Sequence, residues 1–198
     1  MLELTTKLEA TNAGFHSVVI QPAEKAQILH TDDGLIPPPR PCPLIGVVSA
    51  MVALVGFTAD NGATVLAPVS HLWDDARKPI REEVIPAVVP ARSMIYFLNT
   101  IWHGSGANTS RNERKGLIVL YCQPWVRTFR NMTVAVDWEN LDAISINMLK
   151  LLGFSTHNFM GYVDGRSPRA GVDVRKKRLL EGAKKHNEQT QESYISKL

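Results

Sequence analysis

Three side chains in this sequence are spaced so that they could hold one metal ion. His30 and Asp32 are separated by a single residue, and His103 follows much later in the chain. If His30 and Asp32 lie on a β-strand, they point to the same face, because side chains alternate along a strand. Two imidazoles and one carboxylate form the ligand set of non-haem iron(II) oxygenases, which keep other coordination positions open. The pattern therefore predicts a metal centre for oxidative chemistry.

Arg114 could supply the binding site for an organic acid. It follows His103 by eleven residues, and a guanidinium offers two parallel donors to a carboxylate. Simpler interpretations stay open, since Arg114 could pair with Glu113 at the surface and either histidine alone could be structural. Asp33 is expected to face away from the metal and to cap a turn. The remaining histidines lack such a setting and are interpreted as structural or surface residues: His16, His71, His157 and His186.

The elements that must position these residues are predicted to be short strands. Apolar and β-branched runs between turn residues indicate strands, which cover 16–20, 26–30, 47–57, 63–67, 84–89, 94–99 and 116–123. Strands spaced by about 8–15 residues are typical of an all-β sandwich or barrel. A proline-rich segment, 36–43, must be a loop, and it begins close enough to Asp32 to act as a lid.

A single domain covering 1–198 is the economical interpretation of the whole chain. Its β-core spans about 15–135, and a helical C-terminal extension spans about 139–198. In the extension, residues 140–152 show helical spacing of apolar residues and stop at Gly153. Residues 174–196 are polar and are expected to form at most a frayed helix.

The composition favours a globular protein. Of 198 residues, 44% are hydrophobic and 21% charged, with a formal net charge of +3. Apolar runs are too short for a membrane span and the N-terminus lacks a secretory signal, so we expect a cytoplasmic location and no membrane partner. The basic segment 175–185 is interpreted as a solvated helix face and not as a nucleic-acid site, with docking in a homo- or heterodimer as the alternative. Cys42 and Cys122 are interpreted as buried thiols.

Four stretches match the motifs of one enzyme family, in the order in which the family has them. They are AQILHTDDG (26–34), GFTADNGATVLAPVSHLW (56–73), IWHGSGANTSRNERKGLIVLYCQPWVR (101–127) and LLGFSTHNFMGYVDGRSPR (151–169). Through these motifs the chain resembles the phytanoyl-CoA dioxygenase family of iron(II)/2-oxoglutarate-dependent oxygenases. The resemblance extends over most of the chain and is far more specific than any one motif.

The resemblance implies a mainly β fold with a double-stranded β-helix (jelly-roll, cupin-like) core and the metal near its mouth. It implies that His30, Asp32 and His103 are catalytic and bind Fe(II). It also implies 2-oxoglutarate and O2 as cosubstrates, and hydroxylation or another oxidation of a C–H bond in a small-molecule substrate.

The family's cosubstrate site maps onto four further residues. Arg114 would pair with the distal carboxylate of 2-oxoglutarate, assisted by the hydroxyl of Ser105. Gln27 and Thr64 match positions that commonly line the same site.

Two turns depart from the family's motifs. Val69 and Arg92 stand where the family usually has glycine, so the resemblance leaves the backbone geometry there in question. Few residues precede the first predicted strand, where members of the family carry a longer segment. This motivates an alternative function, a catalytically silent barrel subunit that requires a partner chain.

The substrate class is suggested by apolar residues near the site. The loop 35–48 and nearby aromatic residues favour a small hydrophobic metabolite, in keeping with secondary metabolism. Trp102 and Trp125 are interpreted as core residues, with a place in the substrate-pocket wall as the alternative. A third hypothesis, a metal isomerase or hydrolase on a cupin-like barrel, has no need of Arg114 and Ser105.

Overall fold

The computed structural model describes residues 10–32, 40–41, 46–157, 160–162, 165, 177, 181–182 and 185. Two compact units divide the chain, Met1–Arg130 and Asn131–Leu198. The single-domain organisation stays a prediction. Asp33, most of the proline-rich loop, Cys42, His186 and most of the basic segment lie outside the described residues.

The described part of the first unit contains seven strands in two antiparallel sheets. The strands are β1 (Thr11–Ile20), β2 (Val47–Ala53), β3 (Thr64–Leu66), β4 (Ile85–Pro86), β5 (Met94–Leu98), β6 (His103–Ser105) and β7 (Arg114–Cys122). One sheet has the order β1-β7-β2-β5 and the other the order β4-β3-β6. Two 3-10 helices, Ser70–Leu72 and Arg81–Glu83, lie in the connection from β3 to β4.

Six of the predicted strands coincide with strands in these sheets, but two predictions about the site-bearing segments were wrong. No strand was predicted between 94–99 and 116–123, whereas His103 begins β6. Residues 26–30 were expected to form a strand, yet their regular pairing is limited to one bridge from His30 to His103. In place of a continuous ladder, Gln27, His30 and Asp32 donate backbone hydrogen bonds to Ser105, His103 and Asn99. These spaced bonds still hold the segment along β6.

The core of this unit lies on the inner face of the four-stranded sheet. Because side chains alternate along a strand, Met51 and Ala53 of β2 and Phe97 of β5 all point inward, where they pack with Phe57 and Ala63. The opposite face of the same sheet is less covered; Phe15 of β1 and Tyr96 of β5 are exposed. The inner face is thus the one that can enclose a site.

The two turns that depart from the family's glycines have left-handed backbone. Val69 has φ 55° and Arg92 has φ 69°, a region that residues with a Cβ atom rarely adopt. The chain therefore keeps the turn geometry that glycine would favour and tolerates the strain. Val69 is exposed, so its side chain gains little packing in return.

The described part of the second unit contains short helices. It contains α1 (Met132–Ala135), a 3-10 helix (Trp138–Ala143) and α2 (Ile146–Leu151). The single helix predicted over 140–152 is divided, because Ile144 and Ser145 are extended and the Ser145 hydroxyl caps α2 by accepting from the Met148 amide at 3.3 Å. Gly153, with φ 88°, follows the end of α2 as predicted. None of the helices among the described residues could cross a membrane.

Candidate metal centre

The two histidines are brought together by backbone pairing. His30 donates its amide to the His103 carbonyl at 2.9 Å, and His103 donates its amide to the His30 carbonyl at 2.8 Å. Directly opposed residues of an antiparallel pair point to the same face, and the two rings lie 4.5 Å apart between centroids. On its other side, β6 pairs with β3, so that His103 is buried inside the sheet whereas His30 is half-buried.

Asp32 completes the cluster from the same segment as His30. Its amide donates to the carbonyl of Asn99 at 2.9 Å, which anchors it next to the end of β5. Its carboxylate oxygen Oδ1 lies 3.4 Å from Nε2 of His30, and its other oxygen, Oδ2, lies 3.4 Å from Nε2 of His103. One ligand atom from each of the three residues lies within 4.8 Å of the other two. This donor set can hold a metal ion.

Second hydrogen bonds orient both imidazoles toward that point. Nδ1 of His30 lies 3.0 Å from the Ile28 carbonyl, and Nδ1 of His103 lies 2.9 Å from the Ile101 carbonyl. A carbonyl can only accept, so each Nδ1 carries the proton and each neutral ring keeps its Nε2 lone pair. Such outer contacts are the usual means of holding a histidine ligand in place.

The electrostatics of the cluster favour an ionised carboxylate. Burial opposes the ionisation of Asp32, but hydrogen bonds from His103 and His30 outweigh it and hold the pKa of that carboxyl well below its usual range. The hydrogen bond to Asp32 in turn raises the pKa of His30. A cation between the three side chains would take the place of these hydrogen bonds and bind the Nε2 lone pairs of both rings.

Arg114 lies deeper on the inner face, at the start of β7, and has 0% exposure. Its Nε and Nη2 donate to the Gly62 carbonyl at 3.0 and 2.7 Å, and Nη2 lies 3.3 Å from the Ser105 hydroxyl. Burial lowers the pKa of Arg114 to about 10, opposed by the charge of Glu24, so the guanidinium remains charged at neutral pH. The surface pairing with Glu113 was a wrong alternative, because Glu113 pairs with Lys115.

Comparisons with known proteins agree with this arrangement. The profile of the family described as phytanoyl-CoA dioxygenase (PhyH) matches residues 6–116, a range that contains the three-residue cluster and Arg114. The chain belongs to the phytanoyl-CoA dioxygenase family. This is a family of non-haem iron oxygenases, and the predicted family is confirmed.

Two fungal relatives give the extent of the similarity. Dioxygenase trt7 of Aspergillus terreus is 39% identical over 107 residues, which cover 51% of this chain and 37% of that protein. Dioxygenase cdmD of Talaromyces verruculosus is 34% identical over 116 residues, which cover 52% of this chain and 36% of that protein. The match therefore spans little more than a third of the length of each relative.

A solved structure supports the fold. AviO1 from Streptomyces viridochromogenes Tue57 superimposes with a TM-score of 0.51 at 22% identity, over 59% of this chain and 52% of that one. The mainly β, jelly-roll architecture predicted for the phytanoyl-CoA dioxygenase family is confirmed.

The remaining predicted cosubstrate residues cluster around Ser105. Thr64 is buried on β3 and pairs directly with Ser105 on β6. The side chain of Gln27 accepts a hydrogen bond from the Ser105 amide at 3.1 Å. Gln27 therefore braces β6 from an exposed position, whereas Thr64 and Ser105 face the interior together with Arg114.

One buried donor of Arg114 is suited to binding an acid. Nη1 of Arg114 has no hydrogen-bond partner among the described residues, and a buried cationic donor without a partner is costly. A Cβ atom at Gly116 would lie 3.0 Å from Sδ of Met51, 3.1 Å from Cζ of Phe57 and 3.4 Å from Nη1, so the lack of a side chain there lets the core pack closely around the guanidinium. The chemistry of the residues present thus fits a metal on the His/Asp cluster and a carboxylate on Arg114.

A cavity of about 250 Å³ adjoins the cluster and is lined by Asp32, His16, Ile118, Leu120 and Phe129. His16 was interpreted from the sequence as a structural or surface residue; it is exposed, in agreement with that interpretation, but it also lines the cavity, which no motif indicated. Trp125 does not line this cavity and is half exposed, so its interpretation as a core residue was wrong. Trp102 is half-buried.

Arg40 was also missed by sequence reasoning. Its guanidinium donates to the Thr31 hydroxyl at 3.2 Å and pairs with Asp75 at 3.0 Å. Thr31 separates the two ligands of the His-x-Asp motif, so Arg40 ties that motif to the connection between β3 and β4.

Proposed function

We propose that the chain is an Fe(II)- and 2-oxoglutarate-dependent oxygenase that hydroxylates, or otherwise oxidises, a C–H bond of a small hydrophobic metabolite. The observation that carries the proposal is the pairing of the His/Asp cluster with a buried arginine whose Nη1 lacks a partner among the described residues. A metal isomerase or hydrolase on the same barrel would have no use for that arginine.

The three residues of the His/Asp cluster would bind the metal. His30, Asp32 and His103 would hold Fe(II), with the ring orientations set by the Ile28 and Ile101 carbonyls. When bound, the metal supplies the one-electron chemistry by which R–H, 2-oxoglutarate and O2 give R–OH, succinate and CO2.

The cosubstrate would be oriented by contacts at its far end. Arg114 offers Nη1 to the distal carboxylate, and the Ser105 hydroxyl lies close enough to Arg114 to share the same oxygen acceptor. Because the guanidinium is also held by the Gly62 carbonyl, it is preorganised and loses little freedom on binding. Thr64 adds a hydroxyl on the neighbouring strand.

The substrate would enter the cavity next to Asp32. Apolar side chains of Ile118, Leu120 and Phe129 form much of its wall, which excludes water from the reacting carbon and favours an apolar molecule. The fungal dioxygenases to which the chain is similar support a role in secondary-metabolite biosynthesis.

Anaerobic titration with Fe(II) and then 2-oxoglutarate tests the proposal. We expect a visible charge-transfer band in the wild type and none in His103→Ala. His71→Ala, which removes an imidazole outside the cluster, serves as the control and should keep the band. A folded wild type without the band would contradict the assignment.

A second candidate function is a silent barrel subunit that needs a partner chain. This candidate rests on the extent of the match, which covers 37% of dioxygenase trt7 and 36% of dioxygenase cdmD. Succinate release by the isolated chain separates the two. Formation of the charge-transfer complex without any succinate, in the presence of O2 and a substrate panel, would favour the silent subunit.

A further inference from the structure

The inner face of β1 runs past the candidate site. In the β1–β7 pairing, Gly14 lies opposite Leu120 and His16 lies opposite Ile118. Partners in an antiparallel pair share a face, and Ile118 and Leu120 both belong to inward-packing groups. His16 is therefore an inward-pointing residue although it is exposed to solvent.

His16 differs from the other cavity-lining residues in its chemistry. The wall otherwise consists of the carboxylate of Asp32 and three apolar side chains. Within the described part of the chain, the His16 ring has no hydrogen bond or ion pair. An imidazole in this position is free to donate a hydrogen bond to a molecule in the cavity.

Gly14 contributes volume to the same cavity. A Cβ atom at position 14 would lie 3.6 Å from Nε2 of His16, 3.7 Å from Cδ2 of Phe129 and 3.8 Å from Cδ1 of Leu120. All three neighbours line the cavity. The distances are ordinary van der Waals contacts and the backbone φ is not left-handed, so alanine can be accommodated there, at the expense of cavity space.

We propose that Gly14 and His16 determine which substrates the cavity accepts, an inference that rests on the proposed function. Gly14 leaves room for a compact apolar body, and His16 donates a hydrogen bond to a carbonyl or hydroxyl oxygen on it. The cavity, at about 250 Å³, lies just below the range of about 300–1,000 Å³ that encloses whole drug-sized ligands. It therefore suits a small oxygenated apolar molecule, or one end of a larger one.

The test uses camphor and 2-methylenebornane, in which a CH2 group replaces the carbonyl oxygen of the same skeleton. Binding of each probe to the metal-free full chain is measured by ligand-observed NMR. The wild type is expected to bind camphor more tightly, by about 2- to 12-fold for one hydrogen bond. His16→Leu should abolish that preference while keeping affinity for the hydrocarbon, and His16→Gln should restore part of it.

Gly14→Ala should weaken the binding of both probes without changing the ratio between them, because it removes space and not a donor. Ser17→Ala is the matched control, since Ser17 lies on the opposite face of β1 and is exposed; it should change neither value. Equal binding of both probes to the wild type, no binding of either, or a preference that survives in His16→Leu would overturn the inference. Failure of the wild type to form the Fe(II)–2-oxoglutarate complex is measured separately and would overturn the proposed function instead.

Discussion

Replacement of Arg114 by lysine is the sharpest test of whether the site recognises an organic acid. Arginine holds the Gly62 carbonyl with Nε and Nη2 and still presents Nη1 to the interior. Lysine keeps the positive charge but lacks the planar fork. Its single ammonium group cannot satisfy the Gly62 carbonyl and bind a distal carboxylate in the same geometry.

The expected loss follows from the number of bonds removed. Arg114→Lys deletes one charge-assisted hydrogen bond to the carboxylate, worth about 1.5–3 kcal/mol. At about 1.4 kcal/mol for each tenfold change, the dissociation constant for 2-oxoglutarate should rise roughly 10- to 150-fold. Fe(II) affinity should stay the same, because Arg114 makes no contact with His30, Asp32 or His103 among the described interactions.

The assay compares 2-oxoglutarate with 2-oxopentanoate, which has the same 2-oxo acid end but no distal carboxylate. Anaerobic titrations of the Fe(II)-loaded protein should show a strong preference for 2-oxoglutarate in the wild type and a much smaller one in Arg114→Lys. Lys115→Met is the control, because Lys115 lies on the same strand as Arg114 but its charge is exposed and pairs with Glu113. It should leave the preference intact. If Arg114→Lys weakened both acids equally, Arg114 would be a structural residue and the reasoning would be refuted.

Three further substitutions test the scaffold by urea unfolding. Val69→Gly should raise the free energy of unfolding by up to about 1 kcal/mol, because relief of the strain at φ 55° outweighs the added freedom of the unfolded chain; no gain would mean that the turn is unstrained. Phe57→Ala, at a fully buried ring 4.5 Å below the Arg114 guanidinium, should cost about 3–5 kcal/mol, and a loss under 1 kcal/mol would contradict its place in the core. Ser49→Ala should cost about 1–3 kcal/mol, since it leaves the buried amide oxygen of Asn99 without its donor at 2.7 Å, and a neutral effect would show that water replaces the hydroxyl.

The candidate ligands could be predicted from the sequence more accurately than the strands and segments that position them. His30, Asp32 and His103 were found because residue type and motif context survive without any structure. β6 was missed because three residues, one of them Gly104, show too little periodicity to indicate a strand. The interval before Asp32 was mistaken for a regular strand, since spaced hydrogen bonds to a neighbouring strand leave no trace in local composition. Both errors have the same cause, since pairing between distant segments is not visible in the local sequence.

The remaining omissions have a different physical cause. His16 lies on a strand that was predicted, but its place in the cavity wall depends on which face turns inward, and the exposed Phe15 beside it disguises the alternation. Likewise Gly116 matters because Met51, Phe57 and Arg114 approach it more closely than a Cβ atom would allow. Cavities are properties of several elements at once, and a single sequence does not record them.

One strand, β7, orders the site from its base to its mouth. Its inward residues are Arg114, Gly116, Ile118 and Leu120, spaced by about 6.6 Å at each step of two residues. The first presents a buried charge and the second lets the core pack closely around it, whereas the last two line the cavity next to Asp32. Under the proposed function, Arg114 would hold the cosubstrate and Ile118 would face the substrate, two positions about 13 Å apart along the strand. The second sheet supplies His103, and the segment that pairs with His103 supplies His30 and Asp32.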